Sequence, residues 1–137
     1  MTATPVFPQT LKNAVQSFAN ADGTTAKTVA TGAANGSKIE SLIVESTDTA
    51  ARDIQVIINI SSTAYQLTQI SIPAGSGSNN STPCVDVLKH AQFPGLASDA
   101  LGNKYIYLAN GNTLQIAMAT TVTAGKQINV FAQGGDF

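Results

Sequence analysis

Ile54, Val56, Ile58 and Ile60 occupy alternate positions of one segment, separated by Gln55, Ile57 and Asn59. A period of two places every second side chain on one face of an extended strand. The same signature recurs along the chain. Leu11 to Asn20 sets Leu11, Asn13, Val15 and Ser17 against Lys12, Ala14, Gln16 and Phe18. Thr25 to Ala30 reads as a short return strand after the turn dipeptide Asp22-Gly23. Lys38 to Ser46 carries Ile39, Leu42, Ile43 and Val44, a density that predicts burial on both faces. Tyr65 to Ile72 and Gln127 to Ala132 are further strands. Lys104–Leu108 and Thr113–Ala119 flank Asn110-Gly111 and predict a β-hairpin there. Cys84 to His90 fits either a strand or one and a half helical turns. β-Branched residues dominate the apolar positions, and no segment sustains a 3.6-residue apolar period through three turns.

About eight short strands with turn chemistry between them predict an all-β fold. The architecture is a two-sheet antiparallel β-sandwich, jelly-roll-like, with an immunoglobulin-like sandwich as the alternative. One domain spans residues 11–137, preceded by an extended N-terminal arm over residues 1–10. Pro5 and Pro8 fix φ around Val6 and Phe7, so the arm is not helical. The Val6-Phe7 pair either tucks onto its own domain or inserts into a partner. Pro73 to Pro83 (PAGSGSNNSTP) is rich in Gly, Ser, Asn and Pro, has little apolar surface to bury and predicts a flexible surface loop. The tail Gly134 to Phe137 is mobile or pinned by Phe137.

Composition narrows the chemistry. Seven Lys and Arg with eight Asp and Glu make the chain 11% charged, against about 25% for an average soluble chain. There is one His (His90), one Cys (Cys84) and no Trp. The net charge is −1 and the basic residues form no run, so nothing favours nucleic acid or an anionic membrane. The first ten residues lack the basic and apolar regions of a signal peptide, and no run approaches a membrane span. The expectation is a protein made in a cytoplasm. Asp86 and His90 are four apart and Cys84 is near, but along a strand these side chains spread over roughly 20 Å. Catalytic signatures such as GxSxG and HExxH are missing. Glu40, Glu45, Asp48 and Asp53 have no metal-loop spacing and read as solvated strand-edge charges. Tyr65, Tyr105 and Tyr107 are the candidates for a sugar platform, with Tyr105 and Tyr107 on one strand face as packing. The residues therefore predict no enzyme, no cofactor and no metal site.

Asn20 to Val56 (NADGTTAKTVATGAANGSKIESLIVESTDTAARDIQV), Phe93 to Leu108 (FPGLASDALGNKYIYL) and the acidic-aromatic tail resemble the small decoration, or cementing, proteins of tailed-bacteriophage capsids. The resemblance implies a β-rich protein on the outside of an icosahedral shell, clamping adjacent major capsid proteins. It implies a homo-oligomer, dimer or trimer, located on the virion after synthesis in the host bacterium. It implies no nucleic acid, membrane or small-molecule partner. Pro5, Val6, Phe7, Pro8 and Phe137 are the residues expected to touch the partner. The competing expectation is a surface or fibre-tip module that binds a receptor or glycan through the Pro73–Pro83 loop and the tyrosines.

Overall fold

The alternating segments become nine strands in the computed structural model, which describes residues 7–137. They are β1 (Thr10–Ala19), β2 (Lys27–Thr31), β3 (Ser37–Ser46), β4 (Arg52–Ile60), β5 (Thr63–Ile72), β6 (Val85–Asp86), β7 (Ile106–Leu108), β8 (Thr113–Met118) and β9 (Gln127–Asp136). One sheet has the order β1-β9-β3, with β6 and β7 sharing the far edge of β3. The other has the order β2-β8-β4-β5. All pairs are antiparallel, and the two sheets pack face to face as the predicted β-sandwich. Phe18, Leu42, Val44, Ile128 and Val130 of the first sheet meet Ile54, Val56, Ile70, Leu114 and Ile116 of the second, all fully buried. Val87, Phe93 and Val122 close the sides from loops. Burying such side chains supplies the main driving force for folding, about 1.5–3 kcal/mol each before entropy is subtracted.

The connections differ from the simplest reading. Among the described residues only β4 and β5 form a tight hairpin, turning through Ser61 and Ser62 at φ 51° and 66°. The hairpin predicted at Asn110-Gly111 is an arch instead: β7 lies in the first sheet and β8 in the second. The end of β2 explains the difference. The Gly32 N–H donates to the Asn112 carbonyl (2.8 Å), and the Gly111 N–H donates to the Gly32 carbonyl (3.0 Å). Gly32 thus occupies the inside of the turn and keeps the two strands apart. A Cβ at Gly32 would overlap the Ala109 carbonyl oxygen, so only glycine fits.

Three further expectations are corrected. β3 is buried on one face: a bulge at Glu40 lets both Ile39 and Leu42 point inward, while Ile43 stays half-buried on the outer face. Cys84 to His90 is neither a full strand nor a helix, since only Val85 and Asp86 pair before the chain turns. The Pro73–Pro83 loop is bound rather than free. Ser76 is fully buried, and its carbonyl accepts the Ser46 N–H at 2.7 Å. Ser78 donates its hydroxyl to the Ser46 carbonyl (2.8 Å), and the Asn79 side chain accepts the N–H groups of Ser81 and Thr82. Small residues let this backbone fold onto the end of β3. The chain's final residues also join the sheet, because β9 runs to Asp136.

Candidate docking face on the outer side of the first sheet

The register of β1, β9 and β3 sets side chains in rows across the outward face. Asn13, Gln133 and Ser41 form one row, and Ser17, Asn129 and Glu45 another. Between them lie Val15, Phe131 and Ile43, with Asp86 of β6 at the edge. Directly opposed residues in neighbouring strands are about 4.5–5.5 Å apart, so the three apolar side chains make one stripe across three strands. Val15 is 58% exposed and Phe131 37%. Charges stand around this stripe rather than in it. Lys38 pairs with Glu40 at 2.9 Å towards one end. Glu45 accepts from the Asn129 amide at 2.6 Å towards the other, and Asn129 in turn accepts the Ser17 hydroxyl at 2.7 Å. An apolar centre with a bonded polar rim is the anatomy of a protein–protein contact surface.

An aromatic cluster terminates the face beside β7. The rings of Tyr105 and Tyr107 meet edge-on at 4.7 Å, and Tyr107 lies 5.9 Å from Phe137. Lys38 Nζ stands 4.6 Å over the Tyr105 ring. The Glu40 carboxylate beside it pushes the Lys38 ammonium above its ordinary value, so this cation stays charged. Phe137 is tethered by its own N–H, which donates to the Gly36 carbonyl at 3.1 Å. Gln9, Asn35, Tyr107 and Phe137 line a shallow groove of about 440 Å³.

Gln9 and the residues up to Phe137 meet at this corner. The Gln9 N–H donates to the Asp136 carbonyl at 2.7 Å, extending the β1–β9 ladder. Pro8 fills the space beside Gly135 where a Cβ would stand, and Phe7 is 70% exposed. Among the proposed contact residues, Pro8 and Phe137 are therefore anchored at one end of the face and Phe7 is free to be covered. Pro5 and Val6 lie outside the described residues. Val15, Ile43, Phe131 and Tyr107 were not in the sequence-based set. Their signal was an apolar residue on the polar phase of its strand: Val15 shares a phase with Asn13 and Ser17, and Phe131 with Asn129 and Gln133.

The residues weighed for chemistry are not assembled. Asp86 pairs with Lys89 at 3.7 Å, while His90 Nδ1 accepts the Gln92 N–H at 3.1 Å. Cys84 is exposed. Among the described residues no three His, Cys, Asp or Glu side chains converge on a common point. Asp48 is corrected most sharply: it is 1% exposed, not a solvated edge charge. Its carboxylate accepts the Thr123 hydroxyl (2.7 Å), the N–H groups of Thr123 and Ala50, and Arg52 Nε at 2.9 Å. Burial pushes its proton affinity up, but those donors outweigh burial and hold the carboxyl far below the usual carboxylate range. The group ties the β3–β4 turn to the loop before β9.

No family model matches the chain, and no curated protein or solved structure matches it either.

Proposed function

We propose that this protein binds the exterior of an icosahedral phage capsid and cements adjacent major capsid proteins through the outer face of its first sheet. The observation that carries this reading is the Val15–Phe131–Ile43 stripe, with Val15 and Phe131 exposed, Ile43 half-buried and no charge at its centre. A structural protein needs a surface that is inexpensive to desolvate, and Ser, Thr and Asn surrounds meet that need better than Lys and Glu. Shell symmetry repeats the contact many times, so a modest single interface suffices for firm decoration. The resemblance of Asn20–Val56 and Phe93–Leu108 to cementing proteins points the same way. Phe7 is exposed at the end of this face, where it would reach a neighbouring subunit.

A glycan-binding tip would rest on the Pro73–Pro83 loop, yet that loop uses its Ser and Asn groups on itself and on β3. The capsid reading is tested by cosedimentation with DNA-filled shells of the encoding phage. Phe131→Glu places a charge at the centre of the stripe and is expected to leave a folded protein that pellets at under a tenth of wild-type occupancy. Wild-type occupancy by this variant, or failure of the wild type to pellet, would sink the proposal.

A further inference from the structure

The two sheets differ in how their edges are protected. The β1 and β2 edges face one another and are stitched by side chains: Gln16 Nε2 donates to the Thr28 carbonyl (2.7 Å), and Lys27 Nζ to the Ser17 carbonyl (2.6 Å). The far edge of β3 is covered by β6 and β7. β5 is different. It pairs only with β4, and among the described residues no backbone group of Thr63–Ile72 bonds outside that ladder. Natural edge strands are blunted by Lys, Pro or inward charges. β5 reads TAYQLTQISI, with none of these. A bulge at Leu67 bends the strand, and just beyond it the Thr68 hydroxyl donates to the Gln92 carbonyl and holds that loop against β5.

From the Ser61–Ser62 turn up to and including the bulged Leu67 run Thr63 to Leu67, all five exposed, with Tyr65 at their centre. Tyr65 is 52% exposed, Leu67 44% and the neighbouring Ile60 40%. We infer that Thr63–Leu67 pairs antiparallel with the same segment of a second copy, about a two-fold axis at Tyr65. The second copy is the occupant because the segment is its own complement. A charged strand placed against itself sets like charges across the axis, and this one has none. Centring on Tyr65 stacks the two tyrosines at the axis. It sets Leu67 of one copy opposite Thr63 of the other, in line with Ile60, which pairs Thr63 within the hairpin. Two four-stranded sheets become one continuous sheet. The outer face of each first sheet stays free, so the dimer does not depend on what that face binds. If it binds a capsid, the dimer presents two such faces at a set separation.

Sedimentation velocity of the full chain at about 100 μM tests this, a high concentration because a five-residue strand contact is a small interface. The wild type is expected to run as a dimer. Tyr65→Lys and Tyr65→Glu are each expected to run as monomers, with dissociation constants raised at least about tenfold. Their equimolar mixture is expected to recover the dimer, because opposite charges then meet at the axis. In wild-type protein, amide exchange at residues 63–67 should slow as concentration rises, a readout that needs no variant. A monomeric wild type, a dimeric single variant, a monomeric mixture or concentration-independent exchange each overturns the inference. Capsid pelleting plays no part in this measurement, so the two readings fail separately.

Discussion

Asp48 shows how much one side chain decides. Four donors from three segments converge on a carboxylate with no solvent contact to speak of, and Arg52 supplies the countercharge. Removing the carboxylate takes the countercharge from the Arg52 guanidinium, which keeps only its threonine hydroxyl partners, and leaves the Ala50 and Thr123 N–H groups without their acceptor. Asp48→Ala is expected to cost about 3 kcal/mol, at the low end for a broken buried pair because Arg52 keeps some water contact. Urea denaturation at pH 7 measures it. The pH dependence follows from the same bonds. The folded carboxyl binds its proton more weakly than the unfolded one, whose value is about 3.9. Its contribution is therefore complete above about pH 5 and is lost as pH falls through 4 and below. Asp48→Asn should flatten that part of the stability profile. An unchanged slope between pH 5 and pH 2 would mean that other carboxyls set it.

Among the elements, the β4–β5 hairpin carries a visible compromise. A two-residue hairpin favours positive φ at both turn positions, which suits the twist of the strands, and Asn-Gly is the usual solution. Here Ser61 and Ser62 both adopt it. Ser62→Gly removes a Cβ from the left-handed region and is expected to stabilise the domain by about 0.5–1 kcal/mol. Thermal melting should show a rise of about 2–4 °C. The substitution does not touch Thr63–Leu67, so the proposed dimer should persist; its loss would mean that this turn also serves the contact. The arch at Asn110-Gly111 teaches the converse lesson. A dipeptide that favours a hairpin in isolation is held open by Gly32 from a distant strand, and tertiary contacts override the local preference.

For the molecule as a whole, the outer stripe and the β5 edge both lack charge at their centres, and this shared property predicts how assembly responds to salt. A contact built on Lys and Arg weakens steeply as screening increases. A contact built on Val15, Phe131 and Ile43 does not. If the stripe binds a capsid as proposed, occupancy is expected to change by less than about twofold between 0.1 and 1 M NaCl. Equilibrium pelleting across that range checks it, and a tenfold loss at high salt would transfer the contact to the charged rim of Lys38, Glu40 and Glu45.

The strands themselves were legible in the chain, because a period of two is a local property: β1, β4 and β5 fall where alternation and turn residues put them, and β9 begins there but runs on through the two glycines to Asp136. Two packed antiparallel sheets followed, since so many half-apolar strands have no other way to cover their inner faces. Which strands share a sheet was not legible, because pairing joins residues far apart in sequence, as when β1 and β3 flank β9. The candidate face was half visible. Phe7, Pro8 and Phe137 stood out by position, whereas Val15, Ile43 and Phe131 become one stripe only when register sets them side by side. The buried state of Asp48 was hidden for the same reason, since its donors come from Ala50, Arg52 and distant Thr123. Local alternation decided the strands, and long-range pairing decided which surfaces they present.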